Sequence, residues 1–208
     1  MSDPGFLTFD ALLDRSLDDP TAAGELERRF GRTVTTLVVD FTGMVHRTNH
    51  YGIVHALALS RRAEQVMRPA VEAHGGEIVK RVADSWFAMF REPGAALAGI
   101  LDGLVALSDF NRTRLGTLHD GSRNEPIHAC AGLGHGHALV IPDRDLYGEE
   151  VNRAFVLGED TAGPSEVLAT DAFLAALGSP PAGVGVHRAP GDRIAAVGFP
   201  FHVLADYR

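Results

Sequence analysis

The chain has 208 residues, 45% of them hydrophobic and 22% charged, a balance that fits one globular domain and excludes a disordered chain. Nineteen Lys and Arg against 27 Asp and Glu leave a net charge of −8, which argues against a nucleic-acid partner. The one cysteine, Cys130, excludes an intrachain disulfide and a cysteine zinc cluster, and its apolar surroundings over 127–133 predict a buried, inert thiol.

The first 19 residues are acidic and lack the basic start and apolar core of a leader. No run approaches the roughly 18 apolar residues of a membrane span, so a soluble, cytoplasmic protein with no membrane partner is expected. Residues 1–30 predict a helical lead-in to a domain over 31–208. Phe9, Leu12, Leu13 and Leu17 recur at helical spacing, Pro20 interrupts, and Leu26 and Phe30 continue the stripe. The β-branched run 33–39 predicts a buried strand ending at Asp40. Over 53–74, Ile53, Leu57, Val66, Met67 and Val71 mark a helix that Pro69 is expected to kink or divide. Gly75 and Gly76 turn the chain into paired strands over 77–82 and 85–90, joined at Ala83 and Asp84. A second long helix covers 94–107. Strands are expected over 126–133 and 138–141, then a helix from Gly148 to Leu157. A strand over 166–170, a helix over 171–177 and a loop over 178–185 lead to terminal strands around Val186 and over 194–207. Strand–helix–hairpin–helix–strand is the order of an α+β ferredoxin-like sandwich, a mainly antiparallel sheet with flanking helices.

Asp40 closes a buried strand and precedes Phe41, Thr42, Gly43 and Met44, whose glycine lets backbone N–H groups approach a ligand. Asp84 sits at the hairpin tip. If the two strands are neighbours, both carboxylates emerge at one edge, an arrangement suited to a hard divalent cation carrying a nucleotide's phosphates. The competing reading is that each aspartate caps a turn. The paired histidines of GHGH (134–137) lack a third ligand at usable spacing and are expected in ordinary strand and turn. Trp86 is expected in the core.

Three blocks in this order, VVDFTGM (38–44), GGEIVKRVADSWFAMF (75–90) and DLYGEEVNRAFVLGE (145–159), resemble the signature blocks of class III nucleotidyl cyclases, the adenylate/guanylate cyclase catalytic domain. The match runs from about Thr33 to Leu177. The resemblance implies that Asp40 and Asp84, 44 residues apart (84 − 40), hold two Mg²⁺ or Mn²⁺ ions with the carbonyl of Phe41. It implies that the backbone of Phe41, Thr42, Gly43 and Met44 cradles the terminal phosphates. Lys80 and Asp145 resemble the pair that reads a purine edge, with adenine the better match. Asn152 resembles the asparagine that positions the ribose and orders the transition state. A homodimer is implied too, because in that family the metal aspartates come from one chain and the asparagine helix from the other.

Three departures stand against the family pattern. The arginine expected four residues after Asn152 is Val156, the glycine before the second metal aspartate is Ala83, and no lysine precedes Gly198. Arg153 lies about 100° around a helix from Asn152 and is expected to point elsewhere. The leading expectation is a cyclase making a 3′,5′-cyclic monophosphate and pyrophosphate from a purine nucleoside triphosphate, weakened at Val156. The alternatives are a catalytically silent homologue that binds a nucleotide or a partner, and a purely structural dimerisation module.

Overall fold

The computed structural model describes residues 8–113, 115–116, 124–141 and 144–205. Two helices open it, α1 (Phe9–Ser16) and α2 (Pro20–Phe30). Pro20 begins α2 rather than interrupting a helix. It takes the first position, where a missing N–H is harmless, and Asp19 caps the end by accepting from the Thr21 N–H. Phe9, Leu12, Ala22 and Leu26 are buried with Ile141, whereas Leu13 and Leu17 of the expected stripe face solvent. Residues 1–7 of the lead-in lie outside the described residues.

The chain continues as β1 (Gly31–Phe41), α3 (Met44–Tyr51), α4 (Ile53–Ala73), β2 (Glu77–Val82), β3 (Ser85–Phe90) and α5 (Pro93–Thr113). After it come β4 (Ala129–Ile141), β5 (Asp145–Tyr147), α6 (Glu149–Phe155), a π-helical turn at Val156–Thr161 and β6 (Val167–Thr170). The last elements are α7 (Asp171–Leu177), β7 (Gly185–Arg188), α8 (Gly191–Val197) and β8 (Phe201–Ala205). The sheet runs β2-β3-β1-β4-β6-β8-β7, with β5 paired to β4 off that path. Only β4 and β6 pair in parallel; the other described pairings are antiparallel. The strands β2, β3, β1 and β4 have the ferredoxin-like order expected from the chain order.

Strand side chains alternate between faces. Leu37, Val39, Phe41, Trp86, Ala88 and Phe90 pack against α4 and α5 through Met67, Val71, Leu97 and Ile100. Val38 and Phe87 point the other way and meet Ala154 of α6. Helix α5 is long and apolar enough to cross a membrane by composition, but Leu97, Ile100, Leu107 and Phe110 hold it in this core.

Several elements differ from expectation. Pro69 leaves α4 continuous, because it sits on an exposed face near the C-terminal end while α4 packs along α5. The buried stripe of α4 is Ala56, Leu59, Ala63, Met67 and Val71, so Ile53 and Leu57 are exposed. Helix α3 is an addition, set off from α4 by Gly52 at φ 85°. The two strands expected over 126–141 are one, with no break at its glycines. A Cβ on Gly132 would stand 2.1 Å from the Ala154 carbonyl oxygen, and one on Gly134 would stand 2.3 Å from that of Glu150. Those glycines let α6 lie directly on β4. Residues 194–197 belong to α8 rather than to a strand, and Tyr207 lies outside the described residues.

Candidate functional site

In β1 and β3, Val39 is registered with Trp86, so the next step along both strands sets Asp40 opposite Ser85. The Ser85 hydroxyl donates to Asp40 Oδ1 at 2.9 Å. Asp84 precedes Ser85 at the hairpin tip, after Ala83, whose φ of 53° is left-handed. A glycine holds that conformation without strain, and the alanine does not. A third carboxylate, Glu159 on the π-helical turn, lies near enough for its charge to act on Asp40. Its arrival depends on Gly158, whose Cα faces the Val38 carbonyl oxygen closely enough that a Cβ would stand 2.9 Å from it. The Cys130 thiol sits beneath, 3.3 Å from the Gly158 carbonyl oxygen and 3.7 Å from that of Asp40.

Burial, then the neighbouring charges of Asp84 and Glu159, push Asp40 up to about 6 despite the Ser85 hydrogen bond. Burial and Asp84 likewise raise Glu159. Cys130 is buried, and burial together with the charges of Asp40 and Glu159 pushes its thiol up to about 12, so it is inert as expected. Among the described residues, no three His, Cys, Asp or Glu side chains converge tightly enough to hold an ion unaided. The donor set nevertheless suits a hard divalent cation: Asp40 and Asp84, with the Phe41 carbonyl available and other positions left for water and phosphate.

The loop after Asp40 is fixed by Thr42, whose N–H and hydroxyl donate to the His128 carbonyl at 2.9 and 3.3 Å. Gly43, at φ 80°, starts α3 with no side-chain cap, leaving the first N–H groups of the helix to face an anion. Met44 packs against the core. Buried Arg47 anchors α3 by donating to the carbonyls of Glu125, at 3.2 Å, and Pro126.

Lys80 is half-buried, not a solvated strand lysine. Its Nζ stands 2.6 Å from Asp145 Oδ1 and 4.6 Å from the centre of the Phe87 ring. Burial alone would raise Asp145, but Lys80 and the Leu146 N–H, donating at 2.7 Å, hold it below the usual carboxylate range. Across the sheet, Arg81 donates to Glu64 of α4 at 2.7 and 3.0 Å, pinning the hairpin from its other face. Asn152 is exposed on α6. Val156 stands at the junction of α6 and the π-helical turn, its N–H bonded to the Asn152 carbonyl. Arg153 points elsewhere, as expected: it binds Glu150 at 2.8 Å and Glu149 at 2.5 Å and lies over the Phe199 ring. Near Gly198, Arg193 of α8 is committed to Glu166 and the Thr161 carbonyl. The GHGH histidines also have ordinary partners, His135 with Thr35 at 2.8 Å and His137 with Glu27 at 2.7 Å.

The structure thus brings Asp40 beside the Asp84–Ser85 tip and joins Lys80 to Asp145, while Asn152 stands on the outer surface. Sequence reasoning missed Glu159. It closes the third block, but only the π-helical turn carries it back to Asp40, and no spacing rule announces such a turn.

No family model matches the sequence, and no curated protein sequence matches it significantly. Solved structures do. The adenylyl cyclase CyaB from P. aeruginosa superposes with a TM-score of 0.69 at 17% identity, covering 86% of this chain and 96% of that one. An adenylate/guanylate cyclase/hydrolase from Silicibacter pomeroyi gives 0.62 at 22%, covering 84% and 95%. The guanylate cyclase domain of RhGC from Catenaria anguillulae, in complex with GTP, gives 0.62 at 15%, covering 85% and 97%. The chain therefore has the fold of the class III adenylate/guanylate cyclase domain.

Proposed function

We propose that this protein is a nucleotidyl cyclase acting as a homodimer on a purine nucleoside triphosphate, ATP foremost, with two Mg²⁺ or Mn²⁺ ions. The ribose 3′ oxygen attacks the α-phosphorus and gives up its proton. The bond to pyrophosphate breaks, and the 3′,5′-cyclic monophosphate forms. The observation that supports this best is the meeting of Asp40 and Asp84 at Ser85, on a cyclase fold whose same sheet face carries the Lys80–Asp145 pair.

Asp40, Asp84 and the Phe41 carbonyl would hold the ions, which when bound neutralise phosphate charge and lower the pKa of the 3′ hydroxyl. The uncapped start of α3, with Thr42, Gly43 and Met44, receives the terminal phosphates. Lys80 donates to a ring nitrogen of adenine and Asp145 accepts from its exocyclic amine, so a base with the reverse pattern leaves both charges unmatched. Asn152 of a second copy orients the ribose.

A second reading, a silent homologue that binds nucleotide without turning it over, is favoured by one observation. The position four after Asn152 is Val156, and both nearby arginines are committed to carboxylates. Incubating the purified protein with each nucleoside triphosphate and Mn²⁺, with mass spectrometry of the products, separates the two. Cyclic AMP is expected. A folded dimer yielding no cyclic product from any triphosphate supports the silent reading.

A further inference from the structure

We propose that His46 and His50 of α3, with the carboxylate of Glu125, form a binding site for a borderline-soft divalent ion, zinc foremost. The site shares no residue with the Asp40–Asp84 edge, and it stands whether or not the cyclase reading holds.

Residues four apart on a helix share a face, so α3 sets His46 and His50 one above the other. Their rings lie nearly parallel, 9° apart, with 5.7 Å between centres, and both side chains are exposed to an arriving ion. Two histidines at this spacing are how a helix supplies zinc with two ligands. The competing reading is a pair of solvated surface histidines. The place of Glu125 favours the ion. Its Oε1 stands 3.6 Å from His46 Nε2, too far for a hydrogen bond. Nitrogen and oxygen donors bound to one tetrahedral zinc, each at about 2.0–2.2 Å, stand about 3.4 Å apart. His46 and Glu125 are therefore spaced for an ion between them rather than for a direct bond.

The carboxylate is held in that position. Buried Arg47 donates to the Glu125 and Pro126 carbonyls and so fixes this segment against α3. Its Nη1 stands 3.9 Å from Glu125 Oε2, which leaves Oε1 turned to His46. The Tyr51 ring meets that of His50 nearly at right angles, with 4.5 Å between centres, and backs it. The three donors do not yet converge on one point. The His50 imidazole closes on the ion by turning about χ2, a soft torsion in an exposed ring, and water takes the fourth position. Imidazole suits zinc, copper and nickel, whereas magnesium prefers oxygen, so this site and the carboxylates at Asp40 select different ions. An ion here ties α3 to the segment 124–126. Any effect of that tie on the phosphate loop at Gly43 rests on the cyclase reading; the binding itself does not.

The test is calorimetric titration of Zn²⁺ into the full chain without nucleotide, with Mg²⁺ in excess to fill oxygen sites. His46→Gln, His50→Gln and Glu125→Gln are each expected to weaken binding about tenfold or more, since a direct ligand counts for at least as much as an outer partner. Asp40→Asn and His137→Gln are expected to bind as the wild type does. The substituted side chains are exposed or half-exposed, so metal-free melting temperatures are expected to stay unchanged and serve as the folding control. No Zn²⁺ binding by the wild type, or unchanged affinity in both histidine variants, overturns the site. Unchanged affinity in Glu125→Gln alone overturns the place of the carboxylate in it. Binding lost in Asp40→Asn and kept in the histidine variants overturns the site too, by moving the zinc to the carboxylate edge.

Discussion

Asp40→Asn separates what the carboxylate does for the fold from what it does for a ligand. Asp40 is held at about 6 against an ordinary 3.8, so its ionised form is disfavoured in the folded chain. The sign follows from that direction. The relative stability is fully present below about 3.8, and it is lost as pH rises through about 6. The gap corresponds to about 3 kcal/mol at 1.36 kcal/mol per pH unit. Because the side chain is only half-buried, solvent screening reduces this to about 1–2 kcal/mol. Asparagine keeps an acceptor for Ser85 and removes the charge. At pH 8 the variant is expected to melt about 2–8 °C above the wild type, since a domain of this size gains about 2–4 °C per kcal/mol. At pH 4 the difference shrinks. Addition of Mn²⁺ is expected to raise the wild-type melting temperature and leave the variant unmoved, because a ligand stabilises only the state that binds it. Thermal melts at both pH values, with and without Mn²⁺, are the assay. A variant that is equally destabilised at pH 4 and pH 8 refutes the reasoning, since Asp40 would then be a structural hydrogen-bond partner rather than a strained charge.

Ala83→Gly relieves a left-handed alanine and is expected to stabilise the fold by about 1 kcal/mol, read as a higher urea midpoint. Gly132→Ala forces a methyl into the Ala154 carbonyl and is expected to cost about 1–3 kcal/mol by the same measurement. Val156→Arg puts a cation one helical turn from Asn152 and is expected to raise cyclisation by as much as about a hundredfold. A folded, dimeric variant with no gain over an inactive wild type counts for the silent homologue. Lys80→Glu combined with Asp145→Cys is expected to weaken ATP relative to GTP in calorimetry. An unmoved ratio means that the pair does not read the base.

Much of the fold was legible because its signals were local. The hairpin strands Glu77–Val82 and Ser85–Phe90 and the helix Asp171–Leu177 match the expected boundaries, since turn residues and alternation mark them. The errors arose where tertiary packing decides. Glycines 134 and 136 fall between two expected strands until α6 is seen lying on them, and Pro69 reads as a helix break until α5 supports α4. Ile53 and Leu57 belong to the apolar periodicity that marks the helix, yet the buried stripe runs through small residues, Ala56 and Ala63, that let α4 approach. At the site, the neighbouring of Asp40 and the Asp84 tip followed from strand pairing. Glu159 did not, because a π-helical turn leaves no periodic trace.

Among the described residues, strand β2 is the last strand at its end of the sheet, and no strand pairs with its outer backbone groups. An unguarded strand in that position invites another chain to add to it. Here the pairing register slips between Ile78 and Lys80, which kinks the border. The two following side chains are already engaged within the molecule, Lys80 with Asp145 and Arg81 with Glu64. A strand arriving from a second copy would have to follow or straighten that kink to pair along the whole border. The irregular register therefore disfavours a continuous sheet running between two copies at this border. The same irregularity works against open-ended, fibre-like stacking along this border.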